Sequence, residues 1–176
     1  MPPSLIPMNG EILMSVSTKC LTAVILVGTL VSPASAELLV HKDLSYEIAK
    51  TMAEGALAEC HKRGFNTSVV VVDRAGDTLV AMRYDNASPH TMENARRKAY
   101  TARTFRQSTD QYSKKLEAGD AVVKQQVTLP NVIAIPGGVP IKVGDDVIGG
   151  VGLSGSPGVD EQCVQAGIDL VRAELK

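Results

Sequence analysis

The spacing of apolar and polar residues changes period several times along this chain, and each change marks an element. From Leu44 to Arg63 the apolar residues Leu44, Ile48, Ala49, Met52, Ala53, Ala56 and Leu57 recur at steps of three and four, which predicts a helix with one buried face. Asp43 or Ser45 can cap its start, and Lys62-Arg63-Gly64 stops it, with cations at the negative end of the dipole and a glycine free to turn left-handed. Ser68-Val69-Val70-Val71-Val72 is a β-branched run apolar on both faces, hence a central strand. A tight turn over Asp73–Asp77 returns the chain as Thr78–Arg83, its antiparallel partner.

Helical spacing resumes after Asp85-Asn86-Ala87-Ser88-Pro89. Ser88 is the expected N-cap, Pro89 the first helical residue and Phe105 the approximate end. Ser108-Thr109-Asp110-Gln111 is a capping box that opens a shorter helix, stopped by Gly119. Asp120–Thr128 is polar and without a clear period, so a mobile surface segment is expected there. Val132–Ile135, Val139–Val143 and Val147–Leu153 read as strands, and Asp160–Leu175 as a closing helix with Val164, Ile168, Val171 and Leu175 on one face. Consecutive strands joined by tight turns imply an α+β domain, an antiparallel sheet covered by helices, rather than a doubly wound parallel α/β sheet.

The last strands are unusually rich in glycine. Gly137, Gly138, Gly149, Gly150 and Gly152 interrupt apolar runs, which suggests that a second backbone, a helix or a flat ligand lies close against the sheet. Gly150-Val151-Gly152-Leu153-Ser154-Gly155 also matches a dinucleotide-binding pattern. That pattern needs a further parallel strand carrying an acidic residue, and the chain ends at Lys176 as the helix finishes.

Residues 1–36 resemble an export signal: Lys19 provides the positive region, Cys20–Val31 the apolar core and Ala34-Ser35-Ala36 the cleavage site, with Met14 as an alternative start. The apolar run is shorter than the roughly 20 residues of a spanning helix, so no stable membrane insertion is expected once it is cleaved. The mature protein would be a single domain over residues 37–176, periplasmic or secreted. Its two cysteines, Cys60 and Cys163, form either a disulfide, as an oxidising compartment permits, or two buried thiols. The formal net charge is −1, aromatic residues make up 3 % and tryptophan is absent, so nothing points to nucleic acid as a partner.

Candidate chemistry is sparse. The second helix carries Glu93, Arg96, Arg97, Lys98, Arg103 and Arg106. These form either a solvated basic face, with Glu93 paired to Arg97, or an anchor for ligand carboxylates. Asp160 and Glu161 suit the start of the closing helix as capping charges. His90, at the start of the second helix and two residues before Met92, reads either as a surface histidine or as a side chain that could reach a metal. Ser154 lacks the frame of a nucleophile elbow, and no nucleophile, base and orienter set emerges.

Several segments together resemble the GlcG/HbpS family of haem-binding or haem-degrading domains, which is also similar to the C-terminal domain of PduO proteins. They are Ser68–Asp73 with Gly76, Asp77 and Leu79; Glu93–Ala102; Pro136–Ile141; Val147–Gly155; and Asp160-Glu161 with Ala166-Gly167. The resemblance implies a profilin-like sandwich with a five-stranded antiparallel sheet flanked by helices, and assembly into homo-oligomers. It implies haem or another tetrapyrrole as ligand, with weak haem-degrading activity. Carried onto this chain, it puts Thr101 at the iron side and Arg97 and Lys98 near the propionates. Gly137, Gly138 and Gly150 would form a flat slot, and His90 or Met92 would be alternative iron ligands. Two other readings remain open: an enzyme or sensor for a small carboxylate or corrinoid in the same cleft, and an oligomeric assembly module without ligand.

Overall fold

The computed structural model describes residues 36–176, so the export signal expected before them lies outside the described residues. The first helix, α1 (Tyr46–Lys62), is capped by Ser45, whose Oγ accepts from the Ile48 amide at 3.3 Å. It is followed by the strands β1 (Ser68–Val72) and β2 (Thr78–Arg83), then α2 (Thr91–Phe105) and α3 (Thr109–Glu117). A short α4 (Ala121–Gln126), β3 (Gly138–Val143), β4 (Asp146–Ser154) and α5 (Asp160–Leu170) complete the chain. The described residues form a 4-stranded sheet in the order β2-β1-β4-β3, antiparallel at every junction.

This sheet is the middle of three layers. Val69, Val71, Val151 and Leu153 point to one face and pack with Met52, Ala56, Val164 and Ile168 of α1 and α5. Val70 and Val72 point to the other, against Ala95 and Ala99 of α2. The uniformly buried β1 thus reflects helices on both sides, as its unbroken valine run anticipates.

The glycines explain how close these layers come. A Cβ on Gly152 would lie 2.2 Å from the Ala95 carbonyl oxygen, and one on Gly150 would lie 2.3 Å from that of Ala99. On the opposite face a Cβ on Gly167 would lie 2.2 Å from the Met52 carbonyl oxygen, so α1 and α5 meet backbone to backbone. There Cys60 and Cys163 form a disulfide, with their Cα atoms 5.4 Å apart. The expectation of a second backbone against the glycine strands therefore holds, and the backbone is α2 of the same chain. The helix fills the space that a flat ligand would need over Gly138, Gly150 and Gly152.

Three local expectations are corrected. Residues 132–135 form no strand, because their polar backbone is bound by a helix side chain: the Ile133 amide donates to Thr101 Oγ1 at 2.9 Å. The segment after Gly119 is not irregular, since Asp120 accepts from the Val122 and Val123 amides at 2.9 and 3.0 Å and caps α4. Val123 docks this helix against Tyr112 and Val132. Finally α2 starts at Thr91 with His90 as N-cap, because Ser88-Pro89-His90 forms a preceding turn in which the Thr91 amide and hydroxyl both donate to the Ser88 carbonyl, at 3.1 and 2.7 Å.

Candidate functional site

One cavity of about 710 Å³ opens where the start of α2, the start of α5 and the end of β4 converge. Ser88, His90, Thr91 and Asn94 line one side, Ser154, Gly155, Asp160, Glu161 and Gln162 another, and Ile135, Pro136 and Pro157 supply the apolar part of its wall. Its floor is an ion pair. Lys98, reaching inward from α2, places Nζ 2.7 Å from Asp160 Oδ2 and donates to the Leu153 carbonyl at 3.0 Å. The two side chains are only 2 % and 9 % exposed.

A buried charge persists only when paired, and here the pairing is extensive. Asp160 Oδ1 accepts from the Ser156 amide at 2.9 Å and from its hydroxyl at 2.6 Å. Ser156 Oγ in turn lies 2.9 Å from Cys60 Sγ, so the polar floor abuts the disulfide. Burial pulls the Lys98 ammonium below its ordinary pKa, and the Asp160 carboxylate opposes that shift. Gly137 makes room for the pair. Its φ is 123°, and a Cβ there would lie 2.7 Å from Asp160 Cβ and 2.9 Å from Lys98 Nζ.

The acidic neighbours are also engaged. Glu161 Oε1 accepts from the Asp110 amide at 3.0 Å and so caps α3, and Asp110 pairs with Lys114 at 2.6 Å. Among the described residues no group of three or more His, Cys, Asp or Glu side chains could hold a metal ion.

The residues singled out from the sequence separate into two groups. His90 lines the cavity and is exposed, and Lys98 reaches its floor. Lys98 is not a free surface cation, however, because two of its three protons are held inside the protein. Arg97 turns away and donates through Nη2 to the Val132 carbonyl at 2.5 Å, with Nε buried and without a partner. Arg96 takes Glu93, at 2.8 Å, where Arg97 was expected to. Thr101 is buried with its hydroxyl on the Ile133 amide, and Met92 packs against the cluster of Val70, Val72, Ala95 and Ala99. Gly138 and Gly150 lie beneath α2, where a Cβ on either would come within 2.3 Å of a helix carbonyl oxygen. The expected slot is therefore filled by the helix.

Sequence reasoning missed Ser154 and Asn94 as cavity residues and the partnership of Lys98 with Asp160. No spacing rule links positions so far apart. The one available hint was the uninterrupted helical stretch that puts a lysine among the alanines Ala95, Ala99 and Ala102, where a cation needs a counter-charge.

Taken together, the fold and cavity define an α+β domain with an antiparallel sheet between helices and a cavity built at helix ends. The chain belongs to the HbpS-like family, whose model, described as haem degrading protein HbpS-like, matches residues 44–169. It is 31 % identical over 111 residues to Protein GlcG of Escherichia coli strain K12, covering 63 % of this chain and 81 % of that protein. The crystal structure of HbpS superposes with a TM-score of 0.71 at 34 % identity, covering 77 % of this chain and 94 % of that one. The crystal structure of a PduOC:heme complex superposes with a TM-score of 0.68 at 26 % identity, covering 73 % and 94 %.

Proposed function

We propose that this protein binds haem or a closely related tetrapyrrole outside the cytoplasm, and that the cavity between the starts of α2 and α5 is where it does so. The supporting observation is the membership of the chain in the HbpS-like family, together with its likeness to a domain whose structure is a haem complex. The residues present fit such a ligand. Histidine is a common axial ligand of haem iron, and His90 stands at this cavity with no hydrogen bond from its imidazole to any described residue. Ile135, Pro136 and Pro157 offer apolar contact, and the floor carries the Lys98 ammonium. Thr101, which the resemblance puts at the iron side, is buried with its Oγ1 accepting from the Ile133 amide, so His90 is the iron ligand we propose.

When bound, haem would supply a redox-active iron, and the accompanying activity we infer is slow oxidative breakdown of the haem with peroxide as the oxidant, itself reduced to water. This chain would position the ligand with His90 and shield part of it with the apolar wall. The three-layer arrangement is read here as the profilin-like sandwich, with four strands formed by described residues. Export is inferred from the signal-like segment ending at Ala36, and the Cys60–Cys163 disulfide supports it because such bonds persist in oxidising compartments. A homo-oligomer remains part of the proposal, with an interface elsewhere than the glycine strands.

Titration with haemin tests the reading directly. A saturable Soret shift is expected, with loss of the axial-ligand signature in His90→Ala. A titration without saturation would remove haem from the function, and an unchanged spectrum in His90→Ala would remove His90 as the ligand.

A further inference from the structure

We propose that the floor of this cavity is a carboxylate seat, formed by the Ser154 hydroxyl, the remaining proton of Lys98 and the first-turn amides of α5. Ser154 carries the argument. It is only 5 % exposed and lines the cavity, and its hydroxyl forms no hydrogen bond with any described residue. The hydroxyl opens onto the cavity with no protein partner, so a ligand oxygen at this position would meet a free donor displaced only from water. Its backbone is fixed by the pairing of Ser154 with Ser68 at the end of β4, on the face toward α2.

Two further sets of donors converge there. The 11-residue α5 has Val159 as N-cap with no side-chain capping bond. The Gln162 and Cys163 amides bond to the Val159 carbonyl, whereas those of Asp160 and Glu161 have no partner among the described residues. Free first-turn amides at the positive end of a helix dipole favour an anion. Lys98 has two protons committed, to Asp160 and to Leu153, and one left. Asp160 is paired with Lys98 and Asp110 with Lys114, while Glu161 accepts one backbone amide and lines the same cavity, so the seat acts through its hydrogen-bond donors rather than through net positive charge.

About 710 Å³ is far more than a bare carboxylate fills, so the ligand carries a larger body. Two sources share this chemistry: a free organic acid, and the propionate arm of a tetrapyrrole. The second rests on the haem reading above, and the first does not.

Titration of the isotope-labelled protein with benzoate, with benzyl alcohol as the uncharged control, reads the seat through backbone amide resonances. Saturable shifts at Ser154, Gly155, Asp160 and Glu161 are expected with benzoate only. Ser154→Ala should weaken binding by about tenfold or more, the usual effect of removing a hydrogen bond to a charged group. Equal shifts with benzyl alcohol, or unchanged affinity in Ser154→Ala, would overturn the seat. Haemin and its dimethyl ester then separate the sources: weaker binding of the ester, and competition by benzoate, identify the propionate. Benzoate binding without haemin binding would leave the seat standing and remove the haem reading. Equal binding of haemin and its ester, with benzoate silent, would do the reverse.

Discussion

Lys98 shows how much one side chain depends on its partner. An ammonium this deeply buried is tolerated because Asp160 and the Leu153 carbonyl replace its water. Lys98→Met should therefore destabilise the protein by about 3–5 kcal/mol in urea unfolding, since it leaves Asp160 charged and buried. Adding Asp160→Asn should recover part of that loss, because the uncompensated charge is then gone. If the single and double variants unfold at the same midpoint, the pair is not what holds the cavity floor. At the surface, Arg74 bonds both Asp43 and Asp146, and its guanidinium holds the Asp146 carboxyl below its ordinary value of 3.8. The native pKa is depressed, so this contribution is present above the ordinary value and lost as pH falls through the native one. Wild type should then lose more of its thermal midpoint between pH 7 and acid than Arg74→Ala does, whereas parallel pH curves would show that the exposed pair contributes nothing.

At the level of elements, the contact between α2 and β4 decides the geometry. Gly150 and Gly152 let the helix backbone lie on the strand, and that depth is what carries Lys98 under the cavity. Gly152→Ala would put a methyl 2.2 Å from the Ala95 carbonyl oxygen and 2.5 Å from the Ala99 amide, both backbone atoms that cannot rotate aside. A loss of about 1–3 kcal/mol is expected from such overpacking, measured by urea unfolding, with ligand affinity reduced as α2 lifts. An unchanged midpoint would mean that the layers yield enough to admit a methyl group. Gly64→Ala is the fitting control: it strains a φ of +84° but meets nothing within 4 Å, so it should cost stability without touching the cavity.

Over the whole molecule, the disulfide joins the two helices of one outer layer across a sequence separation of 103 residues. Closing so long a loop restricts the unfolded chain strongly, and its removal should cost about 2–5 kcal/mol. Cys60→Ala with Cys163→Ala, compared with wild type under oxidising and reducing conditions, measures this. Equal stability of all samples would show that helix packing alone suffices.

Much of the architecture was legible in local pattern. The helical period before Gly64, the valine run, the hairpin turn and the Ser108 capping box each act within a few residues, so their consequences can be read one segment at a time. The same locality misled at residues 132–135, where an apolar run looks like a strand although Thr101 takes its backbone bond, and after Gly119, where a single capping aspartate starts a helix that has little periodicity. By itself, the sequence determined the order of the elements, the antiparallel sheet between helices and the family resemblance. Only the tertiary structure decided that the glycines receive α2 rather than a ligand, that Lys98 meets Asp160, and that Ser154 faces a cavity. Those outcomes depend on residues brought together by packing from distant parts of the chain, where burial rather than sequence spacing selects the partner.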